Sequence, residues 1–306
     1  MHIVKPRSTT DSTLTSSNVV ETDHTEWNGA IVSYSIDDEV RVTTSGVHKT
    51  YQAIVAIPSD VGNLSPELDA LEDVPKWVET GATNRWKMFS SSAGEITTNA
   101  TSIVARITPG LVVDSVCLLG LGGDAVRIRM NDPTDGDVYD ETINLVGTDG
   151  INTWYSYYFT DISLTTDLVV DDLPSYGTAY IEITITSTTT AQCELCILGV
   201  ARSLGRTRYG AKVGITDYSV KETDDYGRTN VVERAFVKRM EIDVQLDSTD
   251  TDSVHRLLSD LRATPVVWVG SDLFQSTIIY GYFRDFDVVI SSYPWSDCSL
   301  EIEGLI

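Results

Sequence analysis

The sequence predicts a mainly β protein in three parts: a small N-terminal β module, a central β-sandwich or jelly roll, and a C-terminal α+β sandwich with one helix. Three observations carry that prediction. Short apolar segments recur between turn dipeptides such as Asn28-Gly29, Pro109-Gly110, Gly122-Gly123 and Asp135-Gly136, the pattern of strands joined by tight turns. Residues 125–130 and 180–186 alternate apolar and polar, so each has one buried and one wet face. Helical spacing with sensible end signals is convincing only around residue 255.

Taken in order, residues 1–25 are rich in Ser, Thr and Asp and predict an extended or disordered arm, able to lie across a neighbouring copy. Residues 26–80 form a small β module and linker. The segments AIVSY, EVRV and TYQAIVAI predict a three-stranded sheet that is marginal without a partner surface. In the linker, Ser65 and Pro66 are placed to start one helical turn. Residues 81–205 hold eight strand segments and no strong helix, which predicts the sandwich. Residues 206–306 begin with two long strands joined by a hairpin turn at Asp224-Asp225-Tyr226-Gly227. The helix TDSVHRLLSDLRA follows, with Val254, Leu257, Leu258 and Leu261 as one stripe and Pro265 beyond its end. Three further strands complete a docking domain.

Composition narrows the function. The net charge of −23 repels phosphate backbones, so no nucleic-acid partner is expected. The charge is uneven: residues 1–200 hold 10 Lys+Arg against 28 Asp+Glu, whereas residues 201–306 hold 12 against 17. No apolar run approaches the ~20 residues that span a bilayer, so no membrane insertion is expected, and the first residues lack the apolar core of a secretory signal. Cys117, Cys193 and Cys196 sit in apolar strand-like runs and read as reduced, packed thiols, as does Cys298. Read as one strand, Cys193 and Cys196 would face opposite ways, which argues against a shared metal.

Catalytic patterns are scarce. The four histidines, His2, His24, His48 and His255, lie near no Ser or Cys elbow. The glycine-rich run 118–126 leads into a strand, whereas a dinucleotide loop opens a helix, so it reads as a hairpin turn. Acid pairs are abundant enough to allow glycosidase chemistry without pointing to it. Asp132, Asp135, Asp137 and Asp140 share one loop that fits either a calcium site or a solvated turn. No catalytic residue, cofactor or metal is assigned, and the expectation is a protein that is not an enzyme.

Two groups of residues remain. Trp27, Tyr34, Tyr51, Trp77 and Trp86 crowd into residues 27–86; flat rings stack on pyranose faces and also dominate protein contacts, so glycan binding and internal packing both stand. A basic stretch in the acidic chain includes Arg206, Arg208, Lys212, Arg228, Lys238 and Arg239, which fits docking onto an acidic neighbour or pairing with Glu222, Asp224, Asp225 and Glu233 across the hairpin.

Four segments bear a resemblance. Residues 27–53, with Trp27, Tyr34, the acidic turn Asp37-Asp38-Glu39-Val40 and Tyr51-Gln52-Ala53, resemble the chitin-binding-type modules common in phage tail proteins. The run Gly81-Ala82-Thr83-Asn84-Arg85-Trp86-Lys87-Met88-Phe89 is similar to the start of a galactose-binding-like jelly roll in tailed-phage tail structural proteins, and residues 218–227 and 261–268 resemble their C-terminal part. The resemblance implies a multimeric structural component of a virion tail or tail tip, made in the bacterial host cytoplasm. Its implied partners are other tail proteins and copies of itself. The alternative it leaves open is a receptor-binding lectin for host cell-surface glycan.

Overall fold

The computed structural model describes residues 1–29, 33–43, 46–59, 64–92, 94–147, 153–155, 164–223, 226–271, 273–292 and 294–305. The chain starts with β1 (His2–Arg7) and β2 (Leu14–Ser17). The small module holds β3 (Thr25–Glu26), β4 (Glu39–Val42), β5 (Lys49–Ala53), the turn of helix α1 (Pro66–Asp69) and β6 (Trp77–Ala82). A second short turn, α2 (Asn84–Lys87), precedes β7 (Thr97–Ile107), β8 (Ser115–Leu119), β9 (Ala125–Asp132) and β10 (Gly136–Asn144). Then come β11 (Leu168–Val170), β12 (Tyr180–Cys193) and β13 (Leu195–Ser203). The C-terminal part holds β14 (Arg206–Thr207), β15 (Lys212–Asp217), β16 (Val220–Thr223), β17 (Thr229–Val232) and β18 (Phe236–Asp247). Helix α3 (Thr251–Asp260), β19 (Val266–Val269), β20 (Ile278–Ser292) and β21 (Trp295–Gly304) close it.

The mainly β architecture with a sandwich at its centre is as the sequence predicts. One face of the sandwich is the sheet β10-β9-β12-β7-β2, and the other is formed by β11-β8-β13. Alternate residues of β7, β9 and β12 (Ile103, Ala105, Ile128, Met130, Ile181, Ile183) meet Val116, Leu118, Cys196 and Leu198 from the facing sheet in one core. The two readings that depend on local period, β9 and β12, hold because each strand has one dry face.

The first residues depart from expectation. The segment read as a free or neighbour-crossing arm is built into its own chain. Strand β1 lies between β13 and β19, antiparallel to both, and β2 extends the other sandwich sheet along β7. Composition misleads here because β1 is short and flanked by Ser and Thr, while its burial comes from partners far along the sequence. Ile3 and Val4 are both fully buried on opposite faces of β1. Ile3 joins the C-terminal core, and Val4 joins a third cluster with Cys117, Ile197, Val267 and Tyr280. Burying two such side chains is worth about 1.5–3 kcal/mol each.

Through β1 the sandwich and the C-terminal part share one sheet, in the order β11-β8-β13-β1-β19-β20-β21-β18, with β14 and β15 both paired along the outer edge of β18. The expected boundary between residues 205 and 206 therefore falls within a continuous hydrogen-bonded sheet. This sheet curls enough for Lys238 on β18 to ion-pair with Asp167, next to β11. Two glycines permit close approach. A Cβ on Gly199 would sit 2.4 Å from the Lys5 carbonyl oxygen, and one on Gly281 2.1 Å from that of Glu303.

Helix α3 covers one face of this sheet as the sequence predicts. Val254, Leu258 and Leu261 pack on Met240, Ile242, Val244 and Trp268. Asp250 occupies its N-cap position, although its side chain makes no capping bond. The glycine-rich run 118–126 is not a hairpin turn: it carries the chain from β8 in one sheet to β9 in the other. Cys193 and Cys196 are also placed differently from the reading. The chain turns at Glu194 between β12 and β13, so both thiols enter the same sandwich core. Most of the expected strand TWYSYYF, at 156–159, lies outside the described residues, as does the segment at 30–32.

Candidate interaction surfaces

The aromatic candidates are placed by the small sheet β3-β4-β5-β6. Residues alternate across a strand, and Tyr51 on β5 and Trp77 on β6 fall on the inner face, each only 2% exposed, with Val40, Val42 and Ala53. Burial, with the charges of Glu79 and Glu67, pushes the Tyr51 hydroxyl up to about 12. Tyr34 meets the Trp77 ring edge-on at 5.1 Å, and its hydroxyl accepts from the Asn28 amide at 3.1 Å. Trp27 packs on the same cluster. Trp86 stacks on His48 at 4.6 Å and meets Phe89 at 6.0 Å. The structure thus divides the five candidates: four belong to the module's own core and the fifth to a junction. Tyr51 and Trp77 offer no ring face for a sugar, a correction that follows from having too few other large apolar residues to fill so small a core.

That junction holds three segments together. His48 lies with Nδ1 2.8 Å from Glu21 and Nε2 2.6 Å from Asp11. Arg85 pairs with Glu21 at 2.8 Å, Thr83 donates to Glu21 at 2.9 Å, and the Asn84 amide donates to Asp23 at 2.6 Å. The carboxylates come from residues 11–23, the imidazole from the small module and the arginine from α2. The arrangement is a clamp; its charges are spent on one another.

The four aspartates read as one loop lie at the end of β9 (Asp132), in the turn (Asp135) and on β10 (Asp137 and Asp140), and three of them spend their charges likewise. Asp137 and Asp140 each take a two-pronged contact, from Arg129 and Arg127 respectively. Asp132 accepts from the Thr134 and Asp135 amides and from the Thr178 hydroxyl, which hold its carboxyl below the usual range. With Arg106 paired to Glu182 and lying 4.3 Å over the Tyr180 ring, these residues form a charged ladder across the outer face of the sandwich. Among the described residues, no group of three His, Cys, Asp or Glu is placed to hold a metal ion.

The basic candidates cluster on one long hairpin and its base. β15 pairs with β18 from Lys212↔Glu241 to Asp217↔Phe236, and β16 pairs with β17 from Val220↔Val232 to Thr223↔Thr229. The Tyr218 amide donates to the Ala235 carbonyl at 3.3 Å and joins the two ladders into one hairpin with a one-residue slip between them. Three candidates have carboxylate partners: Lys212 with Glu241 at 2.8 Å, directly across the hairpin on β18, and, off the hairpin, Arg208 with Asp297 at 2.7 Å and Lys238 with Asp167. Arg206, Arg228 and Arg239 are exposed.

What the sequence did not reveal is the apolar surface that accompanies these charges. Ile215 and Phe236 are 58% and 52% exposed, and Val231 and Val232 lie outward farther along the hairpin. Beside the hairpin base, Tyr209, Val213, Leu273 and Phe274 line a cleft of about 680 Å³. A second apolar surface lies on the small module. The Asp69 carboxylate accepts from the Lys76 and Trp77 amides at 2.6 and 3.0 Å, folding residues 70–76 back over α1. Leu71 and Val74 in that fold-back are 82% and 84% exposed.

No protein family matches the chain, and no curated protein matches it. Among solved structures it is similar to chitosan-binding module 1 from a chitosanase/glucanase of Paenibacillus sp. IK-5, at 10% identity and a TM-score of 0.24, covering 37% of this chain and 83% of that one. A selenomethionine-labelled point mutant of that module gives 10% identity and a TM-score of 0.25, covering 38% and 83%. Superposition at that level assigns neither fold nor ligand.

Proposed function

We propose that this chain is a non-catalytic structural component of a bacteriophage virion tail or tail tip that assembles as a multimer, its C-terminal part supplying the docking surface. The observation that carries the reading is the 212–247 hairpin. Its distal ladder, β16 and β17, is a two-stranded sheet by itself with both faces to solvent. Such a ribbon is at best marginal in water, and Val231 and Val232 on it are exposed, as is Phe236 at its base on β18. Its form and its aliphatic surface suit a segment that is covered in an assembly. The sequence resemblance to tail structural proteins over the same hairpin supports the setting.

The test is removal of the distal ribbon. A variant in which residues 218–235 are replaced by a short Gly-Asn turn should keep the thermal transition of the parent while losing self-association and co-purification with particles. A parent that stays monomeric at high concentration and never accompanies particles defeats the proposal.

Glycan recognition is a second reading, favoured by one observation. Trp154 and Tyr155 are adjacent and 79% and 74% exposed, a pair of flat rings suited to pyranose stacking. Binding on a glycan array that disappears in Trp154→Ala would support it; an array without signal would remove it.

A further inference from the structure

Strand β15 leaves one edge open. Its other edge pairs with β18, and among the described residues no strand lies along the outer one. We infer that this edge pairs with β15 of a second copy, antiparallel about a twofold axis at Gly214; this rests on the multimer reading above and names its contact. Sheet edges are normally blunted by charge or brevity, because their free amides and carbonyls recruit other strands. The other described edge strands follow that rule. β10 carries Asp137, Asp140 and Glu141, β6 carries Glu79, and β16 carries Lys221 and Glu222. β2, β3, β11, β14 and β17 have 4 residues or fewer. β15 runs for 6 residues with an uncharged centre, Val213 to Thr216. Val213 and Ile215 on it are 42% and 58% exposed.

The occupant follows from the strand's own sequence. Two strands related by a twofold axis perpendicular to the sheet run antiparallel and show the same residues on the same face. An axis at Gly214 sets Val213 of each copy directly opposite Ile215 of the other, giving two aliphatic cross-strand pairs on one face. Moving the axis to Ile215 would instead set Val213 opposite Asp217. At the axis itself Gly214 has no side chain to obstruct the approach. The contact asks for no new ion pair, and Lys212 keeps its partner Glu241. A six-residue edge is a small contact for a stable dimer, and the distal ribbon lengthens it. In this register β16 of each copy continues beside residues 205–208 of the other. The exposed Tyr218 of one copy then comes level with Gly210 and the exposed Tyr209 of the other.

Cysteine pairing across the axis tests the contact. Residues directly opposite in an antiparallel pair have Cα atoms about 4.5–5.5 Å apart, within disulfide reach, and the native thiols are buried. The full chain is made as Val213→Cys, as Ile215→Cys and as Ile215→Lys. Under mild oxidation with glutathione disulfide, an equimolar mixture of the two cysteine variants should give a crosslinked dimer that neither variant gives by itself. In sedimentation velocity at high salt, which screens the net charge, the wild type should associate over a concentration series. Ile215→Lys, which puts a charge on the edge, should need about tenfold or more higher concentration. Circular dichroism and thermal midpoints matching the parent show that the variants are folded. If the wild type assembles while the mixture crosslinks no more than either variant, or while Ile215→Lys assembles equally well, this inference is overturned and the multimer reading stands. If the wild type does not assemble at any concentration, both are overturned.

Discussion

Asp137 and Asp140 give the acid side of the stability curve a definite sign. Hydrogen bonds from Asn131 and then Arg129 hold the Asp137 carboxyl below the usual aspartate range, and the Arg127 hydrogen bond does the same for Asp140. A folded-state value below the unfolded one, about 3.9, contributes stability that is present above that value and lost as pH falls through the lowered one. Both groups are solvent-exposed, so the effect is small. Asp137→Asn with Asp140→Asn should lower the thermal midpoint at neutral pH and flatten its fall below about pH 4. An unchanged acid slope counts against the ladder. The cysteines make a second residue-scale case. Burial pushes the Cys117, Cys193 and Cys196 thiols well up and that of Cys298 up to about 11. The thiolate is the reactive form, so iodoacetamide at pH 8 should label none of the four in the native protein and all four after denaturation, read by mass spectrometry. At Gly199, Ala would press on the Lys5 carbonyl and should cost about 1–3 kcal/mol, whereas Gly177→Ala, with its nearest neighbour at 3.9 Å, should be near neutral in denaturant titrations.

At the scale of elements, what was legible in the sequence tracks how locally each element is determined. Helix α3 could be read because its stripe, start and following proline lie within sixteen residues. β9, β12 and the 212–247 hairpin could be read for the same reason. β1 could not: its partners begin at Leu198 and extend to Val269, and nothing near Ile3 announces them. Strand β6 was missed because WVETGA has too little apolar content to alternate visibly. The candidate surfaces divide in the same way. Composition exposes a crowd of aromatics and a run of basic residues, but only the register of β5 against β6 sends Tyr51 and Trp77 inward. Likewise only the long-range ladder gives Arg208 a partner at Asp297. Ile3→Ala tests the importance of β1. Truncation at a fully buried site should cost about 2–5 kcal/mol, seen as a lower denaturant midpoint; Ser16→Ala, on the exposed part of β2, should change little.

For the whole molecule, the shared sheet makes a thermodynamic statement. The sandwich core and the helix-covered core lie on the same strands around β1, so the two parts should unfold in one cooperative transition by calorimetry. Two separated transitions that survive the intact β1 would show that the hydrogen bonds across it do not couple the cores. The same placement has a kinetic consequence for how the protein is made. Ile3 and Val4 leave the ribosome some two hundred residues before Ala201 and Arg202, and earlier still than Val267 and Trp268. The slot between β13 and β19 cannot be filled until nearly all of the chain has been synthesised. Until residues 267–269 have been made, one edge of β1 lacks its second neighbour. Non-local pairing of this kind is slow, and an edge left open meanwhile is a site for unwanted strand addition.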